Sequence, residues 1–117
     1  MILILSADAL ASALLGALVE TLGYTVCFAS ANESADQSIR RTRPRVVLVD
    51  AADSDVSNSA VLGRATMRGI SMVMFGTSAA LRRAQPLANG HRIETLAMPV
   101  DGPKLRDILE RAMEKAG

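Results

Sequence analysis

The chain has 117 residues and a net charge of +1, and half of its residues are hydrophobic although only 3% are aromatic. This length suits one hydrophobic core, so we expect a single domain over residues 1–117 with an aliphatic interior. The balanced charge predicts neither nucleic-acid nor membrane binding, and a lone cysteine, Cys27, excludes an internal disulfide. Ser6 and Asp8 interrupt the first apolar run too early for a signal or transmembrane segment, so the cytoplasm is the expected compartment.

The first strand and helix are predicted from a change of hydrophobic period. The apolar run 2–5 is typical of a strand buried on both faces, and Asp8 can cap the helix that follows. Leucines recur at four-residue spacing along that helix, beside Leu15 and Val19, and predict its apolar stripe, with Ser12, Gly16 and Glu20 on another face. The leucines of this stripe are Leu10, Leu14, Leu18 and Leu22.

The middle of the chain predicts a second strand, a helix and a strongly apolar third strand. Residues 24–30 alternate as a strand, and Asn32 can cap a helix that runs to about Thr42, before Pro44. The run 46–49 predicts a buried strand that ends at Asp50.

The second half repeats this alternation twice and adds a last helix. Residues 51–57 form a polar turn, after which Ser57 or Asn58 can begin a third helix that ends near Gly69. A fourth strand is expected over 71–75, and a helix over 78–84 that Pro86 shortens or bends because proline lacks an amide donor. A fifth strand over 93–98 precedes a final helix capped by Asp101.

Five strand–helix units in strict alternation predict an α/β fold of three layers, with a parallel sheet covered by helices on both faces. Three further features add to this pattern. The first helix leaves through Leu22-Gly23-Tyr24, an aspartate ends the third strand, and Pro99 follows the fifth strand in Ala97-Met98-Pro99-Val100. Together they resemble the receiver domains of bacterial response regulators over essentially the whole chain. The resemblance implies a doubly wound (βα)5, flavodoxin-like fold with strand order 2-1-3-4-5.

The resemblance also implies a phosphorylation site from which this sequence departs. Asp50 matches the aspartate that accepts a phosphoryl group, whereas the acidic pair that holds Mg²⁺ aligns with Ser6 and Ala7.

Met98 stands where the family has a lysine that pairs with phosphoryl oxygens. The family's serine or threonine after the fourth strand aligns with Gly76, with Thr77 one position late, and the aromatic switch residue aligns with Thr95. We therefore expect no cofactor and no Mg²⁺ binding.

Several carboxylates keep two interpretations. Asp50 is either a residual phosphoacceptor or a strand-end carboxylate that binds nearby amides. Asp8 is either a weak metal ligand together with Asp50 or a helix cap, and Asp53 and Asp55 are either cation ligands or turn residues. Cys27, within the second strand, is expected to pack in the core.

These departures predict a non-enzymatic signalling domain that acts without phosphorylation by binding a signalling protein or a second copy of itself. The resemblance directs attention to a surface on the fourth and fifth helices, comprising Leu81, Arg82, Arg83, Arg106 and Glu110. The first alternative is a receiver that is still phosphorylated at Asp50 in a two-component phosphorelay. The second is a small flavodoxin-like ligand-binding domain or enzyme, against which the lack of a glycine-rich phosphate loop argues.

Overall fold

The computed structural model of the protein describes residues 1–116; Gly117, the last residue of the predicted domain, lies outside them. Five strands alternate with five helices along the chain. The strands are β1 (Ile2–Leu5), β2 (Val26–Phe28), β3 (Val46–Asp50), β4 (Ser71–Gly76) and β5 (Glu94–Ala97). The helices are α1 (Ala9–Thr21), α2 (Ala35–Thr42), α3 (Ser59–Met67), α4 (Ser78–Gly90) and α5 (Gly102–Lys115).

The five strands form one parallel sheet in the order β2-β1-β3-β4-β5. Every residue of β1 and β3 is buried, because each of these strands has a neighbour on either side and helices over both faces. This arrangement explains their unbroken apolar sequences. The predicted fold class and strand order are confirmed.

Each face of the sheet has its own hydrophobic core. On one face α1 and α5 pack through Leu15, Val19, Leu105 and Leu109. On the other face α2, α3 and α4 pack through side chains that include Ile39, Leu62, Ala65, Leu81 and Ala88. Within the described residues, no helix has the length and apolar character needed to cross a bilayer.

The buried face of α1 differs from the predicted one. Leu10 and Leu14 of the predicted stripe point to solvent, with 71% and 58% of their surface exposed, whereas Ser12 and Gly16 are buried. Gly16 explains this rotation: a Cβ atom at this position would lie 2.8 Å from the ring of Phe28 on β2. The small face of the helix therefore turns inward, where it lets α1 lie close to the sheet edge.

Helix α2 begins two residues later than predicted. Its cap is Ser34, not Asn32, because Ser34 and Gln37 form a capping box. The Ser34 hydroxyl accepts from the Gln37 amide at 3.1 Å, and the Gln37 side chain accepts from the Ser34 amide at 2.8 Å. Two amides at the helix start are thereby satisfied by one reciprocal pair.

Helix α4 does not end at Pro86, so the prediction that the proline shortens the helix was wrong, while the alternative, a bend, stays a prediction. The helix continues to Gly90 with Pro86 inside it. The proline leaves the carbonyl of Arg82, four residues earlier, without its usual helical donor. Both residues are exposed, so water can reach that carbonyl.

The two faces of α1 can be distinguished by adjacent substitutions. Leu15 is fully buried and Leu14 is 58% exposed. We expect Leu15→Ala to lower the free energy of unfolding by about 2–5 kcal/mol. Leu14→Ala, in dilute protein, should change it by less than about 0.5 kcal/mol. Urea unfolding followed by circular dichroism measures both, and equal losses would contradict the orientation of the helix.

Candidate functional site

The sheet brings the predicted site positions to one edge. Leu5 is paired with Val49, so Ser6, the first residue after β1, lies beside Asp50, the last residue of β3. Asp50 is paired in turn with Phe75, and Gly76 with Ala97, next to Met98. The carboxyl ends of parallel strands share an edge of the sheet, which is where α/β proteins of this type place their binding sites.

The side chain of Asp50 lies at the centre of this edge, with only 9% of the residue exposed. The Ser6 hydroxyl donates a hydrogen bond to Asp50 Oδ2 at 2.6 Å. The Ala52 amide donates to Oδ1 at 2.9 Å. Both carboxylate oxygens therefore have a neutral donor from the protein itself.

The backbone carbonyl of Asp50 accepts hydrogen bonds as well as its side chain. Ser57, which is also buried, donates from its hydroxyl to the Asp50 carbonyl at 2.7 Å, and the Asp53 amide donates to the same oxygen at 3.1 Å. Asp53 also accepts from the Asp55 amide at 3.0 Å, so it acts as a turn residue here. The role of Ser57 was missed because its partner is a backbone atom seven residues away, which no sequence motif marks.

Ser6 also connects Asp50 to the start of α1. The Ser6 oxygen accepts from the Asp8 amide at 3.0 Å, and Asp8 Oδ1 accepts from the Ala11 amide at 3.0 Å. Asp8 is thus the N-cap of α1, as one of its two interpretations predicted. A continuous series of hydrogen bonds runs from Asp50 through Ser6 and Asp8 to this helix.

The end of β4 offers no hydroxyl to Asp50. Gly76 is buried, and a Cβ atom there would lie 3.3 Å from the Cβ of Ala51 and 3.5 Å from that of Ala80, so the position is tight even for alanine. The hydroxyl of Thr77 is already engaged, because it caps α4 by accepting from the Ala80 amide at 3.2 Å.

The far side of the site is apolar at the position aligned with the family's lysine. Met98 is half-buried against the core under α1 and α5, and its amide donates to the Gly76 carbonyl at 2.8 Å. The peptide bond from Met98 to Pro99 is cis. Thr95, at the aromatic switch position, is half-buried on β5 opposite Met74.

Charged groups pair elsewhere in the described part of the chain. Its ion pairs join Glu33 to Arg41, Asp36 to Arg64 and Glu94 to Arg111, and none includes Asp50. Over residues 1–116, no three histidine, cysteine, aspartate or glutamate side chains come together in a group that could hold a metal ion. The expectations for Mg²⁺ at Asp50 and Asp8 stay predictions.

A cleft of about 650 Å³ opens beside Ser6, between the loops that follow β1, β2 and β3. Its wall is fixed by Arg41, which donates two hydrogen bonds to the Glu33 carboxylate, at 2.6 and 2.8 Å, and one to the Phe28 carbonyl at 2.9 Å. The Arg41 hydrogen bonds, helped by the Ser30 amide, lower the pKa of Glu33 to about 2. No sequence motif marks this pair, because its members lie eight residues apart, on either side of a turn and a helix.

Cys27 faces the core between β1 and α2, as expected for a packed thiol. Its sulfur lies 3.6 Å from the Ile2 carbonyl. Burial raises the pKa of this thiol, which disfavours the reactive thiolate.

One member of the predicted interaction surface is not on the surface. Leu81 is only 8% exposed and packs in the core under α2, α3 and α4, so that prediction was wrong for Leu81. Leu81 and Ala88 lie seven residues, or about two turns, apart, so both are on the face of α4 that packs on the sheet. Arg82, Arg83, Arg106 and Glu110 are exposed, and their role in binding stays a prediction.

Neither a family model nor a curated protein matches the chain. Solved structures do match it over almost its whole length. A protein from Burkholderia pseudomallei described as pilus assembly-related is 25% identical, with a TM-score of 0.76 over 99% of this chain and 90% of that one. The receiver domain of a sensor histidine kinase from Pseudomonas aeruginosa, with a magnesium ion in its active-site cleft, is 19% identical, with a TM-score of 0.78 over 97% and 96%.

The receiver domain of NtrX from Brucella abortus is similar to the same degree, at 19% identity and a TM-score of 0.77 over 97% of this chain and 98% of that domain. These similarities establish that the chain has the fold of response-regulator receiver domains.

The hydrogen bond between Ser6 and Asp50 can be tested through stability. Ser6→Ala removes a neutral donor to a nearly buried carboxylate, so we expect unfolding to become easier by about 1.5–3 kcal/mol. Ser59→Ala, at an exposed position of α3, is the matched control and should change stability by less than about 0.5 kcal/mol. Equal effects of the two substitutions in urea unfolding would show that the Ser6 hydroxyl contributes nothing to the site.

The contact between Glu33 and Arg41 predicts a pH dependence. A carboxyl group whose pKa is lowered in the folded state adds stability above its ordinary pKa, and this contribution is lost as the pH falls from about 4.5 through about 2. We expect Arg41→Gln to return the pKa of Glu33 towards 4.5, as measured by NMR titration of its side-chain carbon. Arg40→Gln, at the neighbouring exposed arginine, should leave that pKa low.

Proposed function

We propose that this chain is a cytoplasmic, non-enzymatic receiver-like domain of bacterial signal transduction that works without phosphorylation, by binding another protein. The observation that carries the proposal is the 2.6 Å hydrogen bond from the Ser6 hydroxyl to Asp50. At the place where the receiver family has a metal-binding acid, a neutral group satisfies the carboxylate. The site therefore needs no cation to be stable.

The lack of carboxylates at the two positions aligned with the family's acidic pair supports this proposal. Mg²⁺ binds proteins through carboxylate oxygens and keeps several of its waters, so it needs acidic side chains in contact with it. In this chain the aligned positions are Ser6, whose proton is directed at Asp50, and Ala7, which has no polar side-chain atom. Asp8, the next carboxylate along the chain, binds the Ala11 amide at the start of α1. The two aligned positions therefore offer Mg²⁺ no carboxylate beside Asp50.

The positive charge that phosphoryl transfer requires is also missing at the aligned position. Phosphoryl transfer depends on placing the reactants and on neutralising oxygen charge by a metal ion and a cationic side chain. Met98 offers neither charge nor a hydrogen-bond donor on its side chain. The loss of both cations removes several kcal/mol of transition-state stabilisation.

The exposed charged residues of α4 and α5 support a protein as the binding partner. The receiver fold presents helices and loops around a rigid sheet, and α4 and α5 keep exposed charged residues such as Arg82, Arg106 and Glu110. Charged side chains at the rim of a contact favour correct orientation and fast association. We place the function of the domain on such surfaces, since its central carboxylate is already occupied.

A phosphoryl-accepting receiver is the alternative, because Asp50 still ends β3 at the edge where ligands bind. The test is to add Mg²⁺ with acetyl phosphate, or with beryllofluoride, and to record intact mass and amide chemical shifts. We expect no phosphoryl mass on the protein and no shifts centred on Asp50. A stable adduct that is lost in Asp50→Asn would overturn the proposal.

A restored site gives the converse prediction. We expect the triple variant Ser6→Asp, Ala7→Asp, Met98→Lys to bind Mg²⁺ and to gain beryllofluoride-dependent shifts, because it regains the acidic pair and the cation. The same triple variant carrying Asp50→Asn is the matched control and should show no such gain. If the unmodified protein responds as strongly as the triple variant, the missing groups are not what limits the chemistry.

A further inference from the structure

Three arginines line one pocket at the amino end of the sheet, on the edge opposite Asp50. The pocket has a volume of about 380 Å³ and lies between the end of α2, the turn before β3 and the end of α3. Ligand pockets range from about 300 to 1,000 Å³, so this space can hold a small molecule. The arginine pocket, as we call it, is lined by Ile39, Arg40, Arg43, Pro44, Arg68 and Ile70.

No acidic side chain of the lining balances these three arginines. In the described part of the chain, the ion pairs use other arginines, namely Arg41, Arg64 and Arg111. Asp36, the only acidic residue of α2, is paired with Arg64, and α3 has no acidic residue. The pocket therefore gathers positive charge that no ion pair within residues 1–116 neutralises.

Arg43 has a backbone conformation that favours glycine. It ends α2 with φ at 48° and ψ at 56°, in the left-handed region, and its amide donates to the Ile39 carbonyl at 2.9 Å. Glycine is the usual residue at such a helix end, because it has no Cβ to crowd the backbone. The helix end itself therefore does not require the Arg43 side chain. Strained residues of this kind cluster at binding sites.

The ends of α2 and α3 explain only part of this arrangement. The carboxyl end of a helix carries partial negative charge and favours a nearby cation. That interaction can stabilise Arg40, in the last turn of α2, and Arg68, which caps α3, one at a time. It does not require the side chains to line a common pocket, where like charges repel. An anion in the pocket would offset this repulsion.

The chemistry of the lining selects the anion. A guanidinium group is planar and always charged, and its donors match two oxygens of a phosphate group at once. A phosphate monoester carries nearly two negative charges at neutral pH, so it balances more of the three positive charges than one carboxylate does.

The remaining lining is apolar and favours a ligand with an organic part. Ile39 is only 3% exposed, Pro44 is buried and Ile70 is partly buried. Carbon atoms of a ligand can leave water by lying against these side chains, an interaction that a free phosphate ion cannot make.

We infer that the arginine pocket binds a small organic phosphate monoester, with the phosphate on the three guanidinium groups and the organic part on the isoleucine and proline side chains. A nucleic acid needs a wider field of positive charge than a chain of net charge +1 offers. The inference goes beyond the proposed function, because the pocket lies before the start of β3 and Asp50 at its end, on the order of 20 Å away.

Titration with phenyl phosphate at constant ionic strength, followed by amide chemical shifts, tests the pocket. We expect saturable shifts centred on residues 39–45 and 68–70. Inorganic phosphate should bind more weakly because it lacks the organic part, and phenylacetate because it carries one charge. No saturation at millimolar phenyl phosphate, or equally tight binding of either comparison ion, would overturn the inference.

Two substitutions with the same change in net charge separate the pocket from general attraction. Arg68→Gln should weaken phenyl phosphate binding by about tenfold or more, because hydrogen bonds to a charged group are lost. Arg83→Gln, at an exposed arginine of α4 outside the pocket, is the matched control and should leave the dissociation constant unchanged. Equal weakening by the two substitutions would contradict a specific site.

Arg43→Gly removes a guanidinium group and keeps a residue that readily adopts the left-handed conformation. We expect phenyl phosphate to bind about tenfold more weakly or worse, while the midpoint of urea unfolding does not fall. A lower midpoint with unchanged binding would mean that Arg43 serves the helix end and not a ligand.

Two further outcomes are distinct. If a short polyglutamate peptide or a DNA oligonucleotide binds the pocket more tightly than phenyl phosphate does, the ligand is a polymer and the inference is wrong. Intact mass reports on Asp50 and does not change on reversible binding at the arginine pocket. An adduct at Asp50 would therefore overturn the proposed function and leave the pocket standing, whereas failure of phenyl phosphate to bind would overturn only the pocket.

Discussion

The parallel register of β3 with β1 and β4 is the constraint on which the site depends. Strand β3 is buried from Val46 to Asp50, so its amides and carbonyls must bond to neighbouring strands and cannot turn to water. Successive side chains of a strand point to opposite faces, and a shift by one residue would move the whole apolar set to the wrong side. The cores on the two faces therefore fix where Asp50 emerges, and the adjacent strand ends place Ser6 and Gly76 around it.

The chemistry of that edge follows from how the Asp50 charge is balanced. A nearly buried carboxylate is costly unless donors surround it, and donors can be cations or neutral groups. Here the donors are the Ser6 hydroxyl and the Ala52 amide. Neutral donors hold the carboxylate in place without attracting an anion, whereas a metal ion or a lysine would draw a phosphoryl group towards it. In the function proposed above, the fold keeps this carboxylate and lacks the cations that would draw a phosphoryl group to it.

The sequence alone predicted the strands, the order of elements and the position of Asp50, because buried parallel strands leave long apolar runs. The predicted buried face of α1 was wrong, because the helix has few polar residues and the periodicity favoured Leu10 and Leu14 as strongly as Leu15. The deciding feature was the space beside Gly16, which depends on Phe28 from another element. The sequence also did not predict that α4 continues through Pro86. The helix can continue there because Arg82 and Pro86 face water, and the exposure of a residue depends on the tertiary fold.

The sequence could predict that Ser6 lies near Asp50, because pairing β1 with β3 places residues 6 and 50 side by side. What the sequence could not supply was the direction of the hydroxyl, which donates to Asp50 while accepting from the Asp8 amide. Because of this direction, Asp50 has a structural role that does not depend on phosphorylation: it accepts the hydrogen bond of Ser6. Through Ser6 and Asp8 the carboxylate is hydrogen-bonded to the start of α1, whose buried side is determined by Gly16 and Phe28. The packing of this helix and the position of the Asp50 side chain are therefore connected by the same hydrogen bonds.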